Sequence, residues 1–129
     1  MPVLVMKFGG TSVASIDRIT RAAKRVAREV ALGYDVIAIV SAMSGKTNEL
    51  AGWVNDISPL HDAREYDAVV SAGENVTAGL MALVLQEMEI PARSWKGWQV
   101  PLNTSSTHSA ARIEETPTHN INGKFADGM

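Results

Sequence analysis

The stretch Val3-Leu-Val-Met-Lys-Phe-Gly-Gly-Thr-Ser12 is the strongest indication of fold class in this chain of 129 residues. Residues 3 to 8 form an almost continuous apolar run, and Gly9-Gly10 ends it. A short apolar run bounded by glycines predicts a strand that is buried on both faces. Strands of that kind occur in parallel sheets covered by helices, so the run favours an α/β fold.

A helix and a second strand are predicted directly after this run. The apolar residues recur every three or four positions and predict an amphipathic helix: Ile16, Ile19, Ala23, Val26 and Val30. Ser12 or Ser15 can cap its start, and Gly33 can end it. The apolar run from Asp35 to Ala42 then predicts a second buried strand. Strand, helix and strand form a right-handed βαβ unit with parallel neighbouring strands.

Three more helices are predicted in the middle of the chain. The first follows Gly45 and ends at Pro59, and the others cover residues 62–72 and 74–89, with a hinge at Gly73. The last of these helices should present five apolar side chains to the core: Val76, Leu80, Leu83, Val84 and Met88. Helices that alternate with buried strands are typical of a three-layer αβα sandwich on a mostly parallel sheet.

The last third of the chain has weaker patterns. Residues 92–95 predict a short third strand after Pro91. Glycine, proline and hydroxyl residues from Lys96 onward indicate a loop or hairpin, and residues 112–115 predict a further strand. Residues 120–129 show no apolar face, so no element is expected there.

Composition and charge restrict the class of protein. The chain is 46% hydrophobic and 20% charged, and 12 Lys+Arg against 14 Asp+Glu give a net charge of −2. This composition is typical of a globular domain, and the charge balance argues against nucleic-acid binding. No apolar run reaches the ~20 residues of a membrane span, and the start lacks a secretory signal, so we expect a cytoplasmic protein without membrane contact. No cysteine and no spaced histidine cluster is present, so no metal site is expected.

The first candidate for chemistry is the turn at Lys7-Phe8-Gly9-Gly10-Thr11-Ser12, between the first strand and the long helix. Two glycines let the backbone approach an anion closely, and Lys7 adds a positive charge, so the segment has the parts of a phosphate cradle. The alternative is a tight turn with Lys7 in solvent, and the local pattern leaves both interpretations open. A Rossmann fingerprint is excluded because its third glycine is missing.

The second candidate is the segment Ser41 to Asn48, which follows the second strand. Gly45-Lys46-Thr47 resembles the end of a Walker A loop, but Val40 stands where that motif requires glycine. If the two strands are parallel neighbours, the glycine turn and the hydroxyls of Ser41 and Thr47 meet at one edge of the sheet. Ligands bind at that edge in open α/β sheets.

The third candidate is Ser71-Ala72-Gly73-Glu74, which places a carboxylate near the first turn of an apolar helix. An acidic residue there can simply stabilise the helix through its dipole. It can also hold an ammonium group, and the sequence alone does not decide between the two roles.

In this order and at these separations, the three segments resemble the motifs of the aspartate kinases in the amino-acid kinase superfamily. Gly97-Trp98-Gln99 and Ala111-Arg112-Ile113 match that family as well, so the resemblance covers nearly the whole chain. It implies ATP-dependent phosphorylation of the side-chain carboxylate of L-aspartate, the entry to lysine, threonine and methionine synthesis. ATP, accompanied by Mg²⁺, and L-aspartate are the implied ligands.

The resemblance also implies roles for individual residues. The ATP phosphates would be held by Lys7, Phe8, Gly9 and Gly10. Aspartate would be held by Ser41, Gly45, Lys46, Thr47, Asn48, Glu49 and Glu74. Lys7 and Glu74 would be the catalytic pair, with Lys7 stabilising charge during transfer.

The length of the chain is the main departure from the family. Residues 1–129 resemble the N-terminal half of the kinase domain, without the nucleotide half and the regulatory ACT domains. An incomplete sheet leaves an unpaired edge, so we expect a homo-oligomer or association with the missing half. The alternative function is a truncated, non-catalytic fragment that acts as a binding or dimerisation module.

Overall fold

The computed structural model describes residues 2–97, 99–100, 103–106, 108, 112–115 and 118–128. Its strands are β1 (Val3–Phe8), β2 (Asp35–Val40), β3 (Asn103–Thr104) and β4 (Ile113–Glu115). Its helices are α1 (Ile16–Ala31), α2 (Lys46–Ile57), α3 (Ala63–Val70), α4 (Ala72–Glu87) and α5 (His119–Ala126). One turn of 3₁₀ helix, Gly10–Val13, precedes α1.

The first two strands and α1 form the predicted βαβ unit. β1 and β2 are parallel and pair without a shift from Val3 opposite Asp35 to Phe8 opposite Val40. The predicted α/β class with a parallel sheet is therefore confirmed. α1 begins after Ser15, whose hydroxyl accepts a hydrogen bond from the Arg18 amide at 3.2 Å, and Gly33 follows its end with φ +99°. Both boundaries agree with the capping residues that the sequence offers.

The core lies between one face of this sheet and the helices α1 and α4. We call this the inner face of the sheet. Its buried members are Phe8, Val13, Ile19, Ala22, Ala23, Val26, Met81 and Leu85. Ile19 and Val13 are fully buried, so the start of α1 is fixed firmly against the sheet. Ile16 was expected to join them, but it is the first residue of α1 and is 56% exposed.

The opposite, outer face of the sheet corrects the prediction of strands buried on both faces. Val3, Val5 and Ile39 are 49%, 56% and 47% exposed. Alternation along β1 places Val3, Val5 and Lys7 on this face, because successive side chains point to opposite sides. Among the described residues the layers that pack on this sheet are α1 and α4, and both cover the inner face.

Helix α4 contacts the core through a different stripe from the one predicted. Thr77, Met81 and Leu85 are buried, and they recur every four residues along one side. Leu80, Val84 and Met88 pack at the border of the core as expected. Val76 and Leu83, which were also expected to be buried, are 54% and 59% exposed. The helix is apolar around most of its circumference, so its sequence does not specify which side is covered.

The stretch from Ala63 to Glu87 is long and apolar enough to cross a membrane by length and composition alone, and it is the one such stretch in the described part of the chain. The backbone divides it at Ser71 into α3 and α4. Because α4 contributes Thr77, Met81 and Leu85 to the core, we interpret it as a core helix of a globular fold.

The predicted third strand is absent from residues 92–95, which form no ladder. The Ala92 carbonyl instead accepts a hydrogen bond from Gln86 Nε2 at 2.9 Å. Directly after the segment, the Lys96 amide donates to Gln99 Oε1 at 2.9 Å. Of the loop or hairpin predicted from Lys96 onward, the structure has a hairpin, since β3 and β4 pair antiparallel. β4 lies within the strand predicted at residues 112–115. Helix α5 lies where no element was expected, and its residues are mostly exposed.

Candidate functional site

Two of the predicted segments leave the sheet at the same edge. Phe8 and Val40 are the last paired residues of parallel strands, so the Gly9-Gly10 turn and Ser41 follow at neighbouring positions. We call this the carboxyl edge. Ligands bind outside the carboxyl ends of strands in open α/β sheets, because loops and helix starts meet there.

The glycine turn is open on one side and closed on the other. A Cβ atom built on Gly9 would meet nothing within 4 Å, whereas one on Gly10 would lie 3.0 Å from the Ala42 carbonyl oxygen. The Ser12 amide donates to the Gly9 carbonyl at 3.0 Å and closes the turn. Lys7 is exposed on the outer face of the sheet. The turn therefore offers free space beside Gly9. The charge of Lys7 lies two residues earlier in the chain, on the outer face.

Positive charge also surrounds a small cleft of about 300 Å³ behind this turn. Phe8 and Ser12 line it together with Arg18, Arg21 and Arg25 of α1. Arg18 Nη1 donates to the Thr11 carbonyl at 2.8 Å, and Arg21 pairs with Asp17 at 3.0 Å. The arginines attract anions toward this end of the molecule, and salt screens that attraction because the side chains are exposed.

The segment after β2 is folded around a buried alanine. Ala42 is 5% exposed, whereas Ser41 is half-buried and Ser44 is exposed. Gly45 has φ +81°, a conformation that side chains rarely adopt, and it stands directly before α2. Thr47 and Asn48 are exposed in the first turn of α2, so their polar groups are accessible from solvent.

Lys46 and Glu49, both predicted to bind substrate, bind each other in the structure. The Lys46 ammonium lies 3.2 Å from Glu49 Oε2, with side chains that are 40% and 44% exposed. Partly exposed pairs of this kind contribute about 0.2–1 kcal/mol, so an incoming carboxylate can displace Glu49 at low cost. The sequence did not predict this pairing, although the spacing of three residues on a helix permits it.

Close packing of Gly73 places the neighbouring Glu74 at the same edge. Glu74 lies in the first turn of α4, as the sequence predicted, and its side chain is exposed. Gly73 is buried, and a Cβ atom on it would lie 3.0 Å from the Ala42 methyl group and 3.5 Å from Lys46 Cγ. The start of α4 therefore packs directly on the segment that follows β2, and all three predicted segments meet around Ala42.

A larger cleft of about 770 Å³ begins at Glu74, and sequence reasoning missed it. α1, β2, α4, α5 and the segment around Trp95 form its walls, which are mainly apolar. Five separate parts of the chain contribute to it, so no local pattern could have indicated it. The motif residues Trp98 and Ala111 lie outside the described residues.

Within the described residues, no group of three or more His, Cys, Asp or Glu side chains could hold a metal ion. Two carboxylates, Glu49 and Glu74, lie in the segments that meet at the carboxyl edge, and Glu49 is engaged by Lys46. This donor set fits an Mg²⁺ ion that arrives with a nucleotide and keeps phosphate and water oxygens as its main ligands.

Comparison with known proteins agrees with the motifs and the fold. Residues 2–129 match the model of the amino acid kinase family. The aspartokinase of Rickettsia felis is 46% identical over 121 residues, which are 92% of this chain and 30% of that protein. The aspartokinase of Pseudomonas aeruginosa is 45% identical over 113 residues, 88% of this chain and 27% of that protein.

Solved structures show the same relationship. The crystal structure of aspartate kinase from Synechocystis superposes with a TM-score of 0.82 at 35% identity, covering 98% of this chain and 20% of that one. Aspartokinase III of E. coli, solved with aspartate and ADP, has a TM-score of 0.81, and at 20% identity it supports the fold alone. This chain spans about 30% of the length of the curated relatives that it matches. On the family match over almost its full length, the chain belongs to the amino acid kinase family.

Proposed function

We propose that this chain carries the phosphate-binding turn and the amino-acid site of an aspartate kinase. The enzyme would transfer the γ-phosphate of ATP to the side-chain carboxylate of L-aspartate and give 4-phospho-L-aspartate and ADP. One observation carries the proposal: the Gly9-Gly10 turn, the Ser41–Glu49 segment and Glu74 converge on one edge of the sheet. The similarity to aspartokinases at 46% identity supports it.

The transfer itself needs positioning and charge neutralisation more than covalent chemistry. A carboxylate oxygen of aspartate forms a bond to the γ-phosphorus while the bond from that phosphorus to the β,γ-bridging oxygen breaks. Both reactants are anions, so their approach is opposed by repulsion. Lys7 would neutralise charge on the transferring phosphate, with the open side of the Gly9-Gly10 turn against the phosphate oxygens. Mg²⁺ bound with ATP would supply further neutralisation.

The amino acid would be held by groups of opposite character. Glu74, exposed at the start of α4, would accept hydrogen bonds from the substrate ammonium. Ser41 and Thr47 would donate to its carboxylates, with Gly45 and Asn48 shaping the same loop. Lys46 would exchange Glu49 for a substrate carboxylate, which the weak pairing at 3.2 Å allows.

We propose a cytoplasmic enzyme of lysine, threonine and methionine synthesis, whose nucleotide half lies beyond these residues. The segments at the carboxyl edge supply partners for phosphate and for an amino acid, and none of them supplies the edge hydrogen bonds that adenine requires. Because half a site does not hold two reactants in line, we expect no turnover from the 129 residues alone.

Equilibrium dialysis of the purified chain tests this proposal, with labelled L-aspartate and, separately, labelled ATP with Mg²⁺. We expect both to bind and D-aspartate and L-asparagine to bind weakly. No aspartate binding at about 10 mM, above the usual range of enzyme substrates, would contradict the assignment. Aspartate-dependent ADP release at about 1 per second or faster would show instead that the chain is a complete catalyst.

A non-catalytic binding or dimerisation module is the second candidate. The exposed apolar residues Val3, Val5 and Ile39 on the outer face favour it, because another chain or another part of the protein could cover them. Sedimentation of the purified chain, which measures its oligomeric state, decides between the two candidate functions when it is combined with dialysis. A stable oligomer that binds neither ligand would support the module.

A further inference from the structure

One alanine, in the segment that follows β2, lies between the glycine turn and the start of α4. Ala42 presents its carbonyl oxygen to Gly10 and its methyl group to Gly73. Each glycine is so close that an added Cβ atom would lie 3.0 Å from Ala42. Real Cβ atoms rarely approach neighbours so closely, so both contacts depend on glycine.

The two contacts differ in what can move. On the Gly10 side, the next nearest atoms are the Cα and amide nitrogen of Ser44, both at 3.7 Å, so the neighbour is backbone. On the Gly73 side, the next are Leu50 Cδ1 at 3.4 Å and Lys46 Cγ at 3.5 Å, which belong to side chains. The Ala42 methyl is therefore the rigid obstacle that Gly73 avoids.

We propose that Ala42 is a positioning residue that sets the distance between the phosphate-binding turn and Glu74. The roles of the two ends, phosphate binding at the glycine turn and amino-acid binding at Glu74, rest on the proposed function. The packing of Gly10 and Gly73 against Ala42 does not depend on it. Gly73 lets α4 approach until it touches the methyl group, and Glu74 is the next residue in that helix. Gly10 touches the same residue from the glycine turn, so a displacement at one end is transmitted to the other through a single buried residue.

Close packing favours such transmission, because Ala42 is 5% exposed and protein interiors contain few voids into which a buried residue can shift. A Cβ atom at 3.0 Å requires its neighbour to move by a few tenths of an ångström. Such shifts matter at a binding site, since a misplacement of about 1 Å at a reactive centre already reduces a rate about a hundredfold. The binding of aspartate at Glu74 should therefore respond to changes in volume at residues 42 and 73, neither of which needs to contact the substrate.

The test uses three variants of the full chain. Gly73→Ala introduces the close contact with Ala42. Gly79→Ala makes the same chemical change in the same helix, where an added Cβ atom meets nothing within 4 Å. The double variant Ala42→Gly/Gly73→Ala exchanges the two residues, so that the total volume is kept and the contact moves to the other side.

We expect Gly73→Ala to weaken L-aspartate binding about tenfold and to shift the amide NMR signals of residues 9–12. Gly79→Ala should leave both unchanged and raise the melting temperature, since alanine favours helix. The exchange variant should recover aspartate affinity to within about threefold of the parent. Gly73→Ala should remain folded by circular dichroism, so that its weaker binding is not a loss of folding.

Two results would overturn the proposal. One is unchanged amide signals at residues 9–12 in a folded Gly73→Ala variant. The other is an exchange variant that is folded but binds aspartate as weakly as Gly73→Ala. If the parent chain itself does not bind aspartate, the proposed function fails, whereas the amide signals still report whether Ala42 couples the two segments.

Discussion

The carboxylate of Glu74 is the group whose removal should affect substrate binding most selectively. We expect Glu74→Gln to weaken L-aspartate binding while the fold is retained. Glutamine keeps the length and planarity of the side chain and removes its charge, so the change separates electrostatic binding from packing. Glu74 is exposed in the first turn of α4, and its replacement disturbs no core residue.

The magnitude follows from that exposure. A hydrogen bond to a charged group contributes about 1.5–3 kcal/mol when water is excluded, whereas exposed ion pairs contribute about 0.2–1 kcal/mol. For an exposed carboxylate we take about 1 kcal/mol, which corresponds to about a fivefold increase in Kd. The loss of a favourable charge at the helix start should lower the free energy of unfolding by less than about 1 kcal/mol.

Isothermal titration calorimetry with L-aspartate at low and high salt measures this effect. Glu87→Gln is the matched control, because it makes the same change near the other end of α4, about 20 Å away at about 1.5 Å per residue. That distance exceeds the Debye length of about 8 Å at physiological salt, so the control should bind as the parent does. High salt should reduce the difference between parent and Glu74→Gln, since exposed charges are screened.

An equal loss of affinity in Glu74→Gln and Glu87→Gln would contradict a specific role of Glu74, because it would indicate a general effect of net charge. Unchanged affinity in Glu74→Gln would likewise remove Glu74 from the amino-acid site.

Three further predictions concern stability and turnover. Ile19→Ala should destabilise the chain by about 2–5 kcal/mol, because Ile19 is fully buried in the core, and urea unfolding measures the loss. Gly33→Ala should cost about 1 kcal/mol through its φ of +99°, whereas Gly52→Ala in α2 should stabilise, and comparison of their melting temperatures checks the opposite signs. In a complete enzyme, Lys7→Ala should lower kcat more than it raises KM for ATP, and a kcat within a factor of two of the parent would exclude this role.

The elements that sequence reasoning predicted correctly are those with strong local signals. Ser15 and Gly33 delimit α1. The side chain of Ser15 accepts a hydrogen bond at the start of the helix, and Gly33, which has no side chain, adopts a positive φ after its end. The apolar runs after Pro2 and after Asp35 pair as parallel strands because α1 returns the chain along the sheet. The carboxyl edge followed from this pairing, so the meeting of the glycine turn with Ser41 was predictable.

The incorrect predictions concern burial, which depends on partners distant in sequence. Val3 and Val5 have the composition of a doubly covered strand, but helices cover the inner face alone in the described structure. Val76 and Leu83 lie in a helix that is apolar on most sides, so periodicity could not select its core-facing stripe. The prediction of a third strand near Ala92 was wrong for a related reason. A strand needs a neighbouring strand to pair with, and local residues do not specify that neighbour.

The exposure of the outer face also bears on catalysis. Lys7 lies on that face beside Ile39, its partner in the strand register. In water, two unit charges about 4 Å apart interact with about 1 kcal/mol, whereas the same pair near a partly covered protein surface interacts with about 4 kcal/mol. In the proposed enzyme, an exposed Lys7 would therefore attract the phosphates of ATP, but it would stabilise the charge that develops during transfer only weakly. Covering Val3, Val5 and Ile39 would exclude water from one side of Lys7 and strengthen this interaction. A single protein surface packed on the outer face would thus have two effects. It would bury the exposed valines, and it would lower the dielectric constant around the ammonium group of the proposed catalytic lysine.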